Sequence, residues 1–327
     1  MGITFSLTSQ ERTGWPVILR RACAPSGPSS DGLSLVPMSL AGKVLDILVN
    51  PPRVSDPERL RRAVSGKTVL VTGASFGLGE ATADKLAAAG ATVLLVARSA
   101  DKLDQVAASI IAAGGRAIPY PTDLTDEARV TALTKQLTEN HGPLDIVISN
   151  AAKSIRRSLR LQYDRPHDFQ RTIDTNYLGP IRLLLGLLPG MQERGAGHIV
   201  NVSTVGVLMF PGPRWGTYIA SKGAFDMWLR SVAPELHADG VDVTSVYMGL
   251  IHTRMSEPTP SLRRLPGMHP DEAAEVVAKA IIERPRKVQP RWTLPGELTS
   301  VLLAPALDHA ARLLYRHSAD SGPARNA

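Results

Sequence analysis

Residues 72–79, Thr-Gly-Ala-Ser-Phe-Gly-Leu-Gly, decide the fold. They follow the β-branched run Thr68–Val71, which is typical of a strand, and open the Ala-rich segment Gly79–Ala89, which is typical of a helix. Glycines let a backbone turn tightly and approach a pyrophosphate, while a helix N-terminus supplies amide donors. A glycine turn alone is weak, but the strand and helix on either side favour a dinucleotide-binding turn. The residues assigned to it are Gly73, Ser75, Gly77, Leu78 and Gly79.

Strands and helices alternate after this turn. Strands are predicted at Thr68–Val71, Thr92–Val96, Ala117–Tyr120, Ile146–Ser149, His198–Val202, Val241–Tyr247 and Lys287–Gln289. Helices are predicted at Gly79–Ala89, Ala100–Ala113, Asp126–His141, Asn176–Glu193, Tyr218–His237 and Asp271–Glu283. Such alternation implies right-handed crossovers, and therefore an α/β fold with a doubly wound, Rossmann-like parallel sheet and helices on both faces.

We predict a single domain with extensions at both ends. Residues 1–37 are rich in Pro, Gly and Ser and are expected to be flexible, with Met38 as an alternative start of the chain. Residues 38–66 form a short helical lead-in, with helices expected at 39–49 and Asp56–Val64. Residues 67–290 are predicted to form the dinucleotide-binding domain, and residues 291–327 a C-terminal amphipathic helix and tail.

Composition excludes several classes of protein. The chain has 327 residues, of which 43% are hydrophobic, enough for one large α/β domain with a full core. The single cysteine, Cys23, rules out an intramolecular disulfide framework and favours the cytoplasm. The sequence contains no stretch of about 18 or more apolar residues, so no membrane span is predicted. No secretory signal is expected either. The histidines lack metal-ligand spacing, so no metal is expected.

The net charge of +7 has three interpretations. A solvated surface is the plainest. The others are an acidic cofactor or substrate, such as a CoA phosphate, and peripheral contact with an anionic membrane. The sequence has no basic motif interleaved with aromatic residues, so nucleic-acid binding is not expected.

Further residues at the strand ends are expected to contact the cofactor. Arg98 ends the second strand, where a cation suits the 2′-phosphate of NADP better than the ribose of NAD. Asp123 ends the third strand and could accept from the adenine amino group or cap the next helix. Asn150 and Ala151 follow the fourth strand, where small neighbours leave room for a ribose.

Tyr218 and Lys222 are four residues apart and therefore lie on one helical face. A free phenol has a pKa near 10. A neighbouring ammonium favours the phenolate, so we expect Lys222 to lower the pKa of Tyr218 and tune it for acid/base work.

These motifs identify the chain as resembling the short-chain dehydrogenase/reductase superfamily from about Lys67 to about Ile282. The resemblance implies that Tyr218 is the general acid/base and that Lys222 holds the nicotinamide ribose. It implies that Asn176 holds a relay water, that Thr253 contacts the carboxamide, and that the pro-S hydride is exchanged. The remaining expected cofactor contacts are Leu124 and Ile251. The family's substrate-orienting serine corresponds to Thr204 in Val202-Ser-Thr204, with Ser203 as the alternative.

A closer resemblance is to bacterial fatty acyl-CoA reductases. It rests on Ser154-Ile-Arg-Arg-Ser158, on Tyr163-Asp-Arg-Pro-His-Asp-Phe169 and on residues 198–208. The paired Arg156 and Arg157 could meet an acidic group such as a CoA phosphate, or could be ordinary surface arginines. Phe76 and Met248 depart from the superfamily pattern, in the glycine turn and before Gly249 respectively.

We therefore expect an NADP(H)-dependent oxidoreductase acting on a small hydrophobic carbonyl or alcohol, with a long-chain acyl or aldehyde substrate. The alternatives are a reductase of ketosteroids or other hydrophobic ketones and a cofactor-binding sensor with little turnover. A homodimer or homotetramer is expected. The apolar segment Leu298–Tyr315 could be a lid, a partner face or a membrane-surface helix, and Pro305 would break it or start a second helix.

Overall fold

The computed structural model describes residues 49–209 and 212–326. Predictions for residues 1–37, and for the short helix at 39–49 apart from its last residue, lie outside these ranges. The described strands are β1 (Thr68–Thr72), β2 (Thr92–Ala97), β3 (Arg116–Pro121), β4 (Ile146–Ser149), β5 (Gly197–Thr204), β6 (Val241–Met248) and β7 (Lys287–Val288). They form one sheet in the order β3-β2-β1-β4-β5-β6-β7. Every neighbouring pair is parallel, which confirms the predicted doubly wound sheet.

Helices cover both faces of this sheet. They are α1 (Pro57–Val64), α2 (Gly77–Ala88), α3 (Ala100–Ala112), α4 (Glu127–His141), α5 (Pro166–Ile173), α6 (Gly179–Arg194), α7 (Gly216–Ala238), α8 (Pro270–Glu283), α9 (Thr293–Leu302), α10 (Ala304–His317) and α11 (Gly322–Asn326). One buried cluster joins α1, α2, α3 and α8 to the sheet, and the other joins α4, α6 and α7 to its opposite face. Since both faces are covered, the central strands carry almost continuous apolar side chains.

The order of the strands positions the site. Successive crossovers run outward from β1 in one direction to β3, and then from β4 in the other direction to β7. Loops from the carboxyl ends of β1 and β4 therefore diverge and leave a crevice between them, where open α/β sheets bind ligands.

Two features of the segment after β4 differ from the sequence prediction. Helix α5 was not predicted. The helix expected at Asn176–Glu193 is instead a π-helical turn, Asp174–Leu178, followed by α6. A π turn widens the helix and re-aims its side chains, and such turns occur frequently at functional sites.

The C-terminal segment forms two helices, as the second interpretation of Pro305 predicts. Helix α9 ends at Leu302, and Pro305 lies in the first turn of α10, where its missing N–H has no intrahelical partner to lose. No helix in the described ranges is long and apolar enough to cross a membrane.

Candidate active site

A cavity of about 380 Å³ lies at the carboxyl edge of the sheet. The glycine turn lines one end and the start of α7 lines the other, with the loops after β4, β5 and β6 between them. Its lining includes these predicted site residues: Gly73, Gly77, Leu78, Gly79, Asn150, Ala151, Thr204, Tyr218, Lys222, Ile251 and Thr253. Ser75, Arg98, Asp123, Leu124 and Asn176 do not line it.

The glycine turn requires glycine for two different reasons. Gly73 and Gly77 adopt positive φ angles of 68° and 61°, which side-chain-bearing residues avoid. At Gly79 the obstacle is space, because an added Cβ would lie 2.1 Å from the carbonyl oxygen of Gly73. The turn therefore brings bare backbone and the N-terminus of α2 to the edge of the cavity, a cradle that suits a pyrophosphate.

Asn150 braces this turn from the neighbouring strand. Its side-chain amide donates to the carbonyl oxygen of Thr72 at 2.9 Å. The hydroxyl of Thr72 in turn accepts from the backbone N–H groups of Asn150 and Ala151 at 2.9 and 3.0 Å. The loops after β1 and β4 are thus joined by hydrogen bonds, which fixes the width of the crevice between them.

Four expected cofactor contacts lie away from the cavity, and one of them, Leu124, is buried in the core cluster that includes α4 and α6. Arg98 is exposed at the end of β2. Ser75 lines a second, smaller cavity beside Glu80 and Asp84, where burial raises the pKa of both carboxyls. Asp123 accepts from the N–H and hydroxyl of Thr125, at 3.0 and 2.8 Å.

Asp123 does not cap the following helix, so that alternative is wrong. The cap of α4 is Asp126, whose carboxylate accepts from the backbone N–H of Arg129 at 3.1 Å. Both aspartates precede the helix closely, but only Asp126 occupies the N-cap position, from which a side chain reaches the free N–H groups of the first turn.

Tyr218, Thr204 and Lys222 meet at the other end of the cavity. The Tyr218 phenol lies close to the side chain of Thr204, the last residue of β5, which favours the phenolate form. The Lys222 ammonium donates to the carbonyl oxygen of Val202 at 2.8 Å, so β5 holds both side chains of α7. Ser203 also lines the cavity, and its buried hydroxyl has no hydrogen-bond partner among the described residues.

The pKa of Tyr218 differs from the sequence expectation. Burial raises it to about 12, and the nearby Thr204 side chain only partly offsets this rise. Burial also lowers the pKa of Lys222 to about 8, against the opposing effect of the Asp226 carboxylate. The predicted fall in the pKa of Tyr218 is therefore wrong for this arrangement, because desolvation of the phenolate outweighs any stabilising effect of the Lys222 ammonium.

Asn176 lies beneath this group on the π-helical turn. Its side-chain oxygen accepts from the N–H of Lys153 at 2.7 Å, and its amide donates to the carbonyl oxygen of Lys153 and to the hydroxyl of Ser221, both at 2.9 Å. Asn176 therefore joins the loop after β4 to α7, next to Lys222.

Sequence reasoning missed a buried polar network below Lys222. Asp226, one turn further along α7, accepts from Asn201 at 3.3 Å, from Ser245 at 3.1 Å and from the Tyr247 hydroxyl at 3.1 Å. Burial raises the pKa of Asp226, and these hydrogen bonds oppose that rise. The spacing of four from Lys222 was the available signal, since it places both residues on one helical face.

The loop after β6 closes over the glycine turn. A Cβ at Gly77 would lie 3.1 Å from the methyl group of Thr253. The Arg254 guanidinium lies 5.8 Å from the centroid of the Phe76 ring. The unusual phenylalanine of the turn is therefore a contact for this loop, which sequence alone did not indicate.

The paired arginines have different surroundings. Arg157 is buried, forms an ion pair with Asp168 and donates to the carbonyl oxygen of Ala324 at 3.1 Å. It is therefore neither a surface arginine nor available to an acidic ligand. Arg156 is half-buried, with its guanidinium 5.9 Å from the centroid of the Trp215 ring. Within the described ranges, no group of three or more His, Cys, Asp or Glu residues could hold a metal ion.

Comparisons with known proteins agree with this geometry. The sequence model of the short chain dehydrogenase family matches residues 67–263. A fatty acyl-CoA reductase of Acinetobacter baylyi is 42% identical over 248 residues, which cover 76% of this chain and 83% of that protein. An uncharacterized oxidoreductase of Mycobacterium tuberculosis is 43% identical over 271 residues, or 82% of this chain and 79% of that protein.

A solved structure extends the agreement. The crystal structure of a metagenomic short-chain oxidoreductase in complex with NADP has a TM-score of 0.59 and 31% identity, and covers 67% of this chain and 92% of that chain. The family match spans more than half of the chain and includes the glycine turn, Tyr218 and Lys222. This chain therefore belongs to the short-chain dehydrogenase family.

Proposed function

We propose that this oxidoreductase is NADP(H)-dependent and interconverts a hydrophobic carbonyl compound and its alcohol. The observation that carries the proposal is the pairing of Tyr218 with Thr204 at one end of a cavity whose other end is the glycine turn. When bound, NADP(H) supplies or accepts the hydride. Gly73, Gly77, Gly79 and the N-terminus of α2 would hold its pyrophosphate, and Lys222 would hold its nicotinamide ribose.

The chain's own residues donate and accept the proton that is transferred to or from the substrate oxygen. With its pKa raised to about 12, the Tyr218 phenol is protonated at neutral pH and is ready to donate to a carbonyl oxygen. Thr204 orients the same oxygen from the end of β5. Lys222 lies one helical turn away and stabilises the phenolate left after proton transfer, since an ammonium favours a neighbouring anion.

NADP is preferred over NAD in this proposal. Arg98 ends β2 with an exposed guanidinium, and no carboxylate stands there to bind a 2′-hydroxyl. Guanidinium groups bind phosphates through charge-assisted hydrogen bonds. The NADP complex of the metagenomic relative supports the same choice.

We propose a long-chain acyl or aldehyde substrate. The cavity is lined by apolar side chains, among them Ile219, Met248 and Leu262, around a small number of polar groups. The similarity to a fatty acyl-CoA reductase supports this class of substrate. A ketosteroid or other hydrophobic ketone would satisfy the same lining and is the second candidate.

We also propose that α9 and α10 contact an anionic membrane from which such a substrate is taken. Leu294, Leu298, Val301 and Leu302 recur on one face of α9, and Val301 is 74% exposed. No residue of α10 is buried among those described. Arg291 and Arg316 flank this apolar face, in a chain of net charge +7. Apolar residues bordered by cations are the pattern of helices that lie on anionic lipid surfaces.

These helices do not line the cavity, but they contact residues close to it in the chain. A Cβ at Gly296 would lie 3.5 Å from the sulfur of Met209 in the loop after β5. Arg214 donates to the carbonyl oxygens of Tyr315 and Ser318, at 3.3 and 2.7 Å, and its neighbour Trp215 lines the cavity. A substrate leaving a membrane here would therefore have a short path to Tyr218.

The test is NADPH consumption with a panel of acyl-CoAs, long-chain aldehydes, ketosteroids and quinones. We expect turnover with the long-chain acyl or aldehyde members. Turnover confined to ketosteroids would favour the second candidate. Tight NADPH binding without turnover across the panel would favour a cofactor-binding sensor and contradict the proposal.

A further inference from the structure

Three arginines cluster beside the substrate end of the cavity, and one of them lacks a counter-ion. Arg157 is paired with Asp168. Arg214 lies 3.4 Å from the Asp320 carboxylate and also donates to Ser318. Arg156 makes no ion pair or hydrogen bond to any described residue, and its one ring contact is Trp215.

The surroundings of Arg156 are unfavourable for a lone cation. Its side chain is half-buried, and burial together with the neighbouring Arg214 guanidinium lowers its pKa. Asp320 opposes this effect, but its carboxylate already accepts from the Ser158 N–H at 2.8 Å and faces Arg214. A partly desolvated guanidinium with no partner of its own is stabilised strongly by an incoming anion.

The position of Arg156 relates this anion to the proposed chemistry. The Arg156 guanidinium lies 5.9 Å from the centroid of Trp215, whose ring lines the cavity. The centroid of Trp215 lies another 5.9 Å from that of Tyr218. An anion on Arg156 would thus lie beside Trp215, which connects the guanidinium to the Tyr218 ring through two distances of 5.9 Å.

We propose that Arg156 binds an anionic group that the substrate carries on a spacer, and that this group is a phosphate of a CoA thioester. The proposal rests on the proposed function, because it places the thioester carbonyl at Tyr218. Addition of a hydride from NADPH and a proton from Tyr218 would give a hemithioacetal, whose C–S bond breaks to release the aldehyde and the free thiol of CoA. Arginine suits the role because its planar N–H donors match phosphate oxygens in pairs. A guanidinium would also bind a carboxylate at the far end of a long-chain aldehyde, so the experiment includes both anions.

The experiment compares Arg156→Gln with Arg160→Gln, a control that removes an exposed arginine from the same segment. CoA binding in the presence of NADP is measured by calorimetry, with pantetheine, which lacks phosphate, as the second ligand. Reduction of a neutral long-chain aldehyde and of its ω-carboxylate analogue is measured in parallel. Arg156→Lys keeps the charge without the paired donors and serves if the glutamine variant melts early.

We expect Arg156→Gln to weaken CoA binding by about tenfold or more, as loss of a charge-assisted hydrogen bond does. Arg156→Lys should lie between the glutamine variant and the unmodified chain. Pantetheine binding and neutral aldehyde reduction should stay unchanged, as should every property of Arg160→Gln.

Equal CoA affinity in the unmodified chain and Arg156→Gln would overturn the proposal. A loss confined to the ω-carboxylate aldehyde would overturn the assignment to phosphate. CoA binding does not depend on turnover, so these results are distinguishable from failure of the proposed reaction, which would appear as no reduction of any aldehyde by the unmodified chain.

Discussion

The glycine turn, which lines the cavity, and the pair α9–α10 are held in opposite ways. At the turn, backbone atoms approach so closely that Gly79 has no room for a Cβ. In α9, the only buried residue is Thr293, and Leu298 and Val301 expose 63% and 74% of their surface. Internal contacts therefore determine the turn, whereas the apolar face of α9 has no comparable contacts within the described chain.

Because of this difference, substitutions in the glycine turn should alter stability. Substitutions on the apolar face of α9 should alter only its interactions with other molecules. A clash in a packed region must displace backbone, which costs stability. A charge placed on an exposed apolar face leaves the fold intact and changes what that face can bind. The predictions below test the two regions, from the largest expected effect to the smallest.

Tyr218→Phe removes the phenolic proton from the tightly held region and nothing else. We expect kcat to fall by about 10²–10⁴-fold, the usual contribution of a general acid, while NADPH binding and the melting temperature stay the same. Steady-state kinetics and a fluorescence titration measure both. Tyr163→Phe, which alters an exposed tyrosine, is the control. Activity within a few-fold of the unmodified chain would refute the acid/base role.

Arg98→Asp tests the choice between NADP and NAD, at a residue that lies outside the cavity lining. Loss of a charge-assisted contact to the 2′-phosphate should cost about 1.5–3 kcal/mol in NADP affinity, with little loss for NAD. Binding titrations of both cofactors measure the ratio, and Arg62→Asp on α1 controls for net charge. An unchanged ratio would mean that Arg98 does not read the phosphate.

Gly79→Ala inserts a methyl group where the Gly73 carbonyl already lies. We expect a loss of about 1–3 kcal/mol in the free energy of unfolding, because backbone must move to accept it. Gly216→Ala is the matched control, since a Cβ there meets nothing within 4 Å. Chemical denaturation of both variants measures the effect. Equal stability would show that the turn is more adaptable than its contacts indicate.

Thr204→Ala and Ser203→Ala test which of the two hydroxyl groups at the end of β5 orients the substrate. The Thr204 side chain lies close to the Tyr218 phenol, so its removal should lower kcat/KM by about fivefold to tenfold, as expected for the loss of one hydrogen bond to the substrate oxygen. Ser203→Ala should cost less, because its hydroxyl has no described partner. The reverse order would assign substrate orientation to Ser203.

Leu298→Glu tests the exposed face of α9. It should change the free energy of unfolding by less than about 0.5 kcal/mol, as is usual for surface substitutions. It should nevertheless abolish co-sedimentation with vesicles containing anionic lipid. Ile111→Glu, at an exposed isoleucine on α3, should leave that binding intact. A marked fall in melting temperature would show that another part of the chain, or a second copy, covers this face.

The sequence predicted what local patterns determine. The positions of the strands, the glycine turn and the Tyr218–Lys222 pair follow from β-branched runs, closely spaced glycines and helical spacing, all visible within a few residues. Helix α5 was missed because the residues that Pro166–Ile173 buries, Asp168 and Thr172, are polar and do not look like core positions in the sequence. The burial of Arg157 could not be predicted, because its partner Ala324 lies 167 residues further along the chain.

The pKa of Tyr218 is a second property that local sequence patterns could not predict. Its spacing from Lys222 indicated proximity along the helix, and that was sufficient to predict the pair. Spacing could not reveal that the ammonium donates to Val202, or how strongly tertiary packing desolvates the phenol. Quantities that depend on three-dimensional burial are outside what local sequence determines.

The most direct test of the central claim follows the hydride itself. The unmodified chain is incubated with NADPH carrying deuterium at the pro-S position of C4 and a long-chain aldehyde, and the alcohol is examined by mass spectrometry. The account predicts one deuterium in each molecule of alcohol formed, and no alcohol from Tyr218→Phe over the same time. NADPH binding without any deuterated alcohol, with each of the carbonyl substrates in the panel, would contradict it.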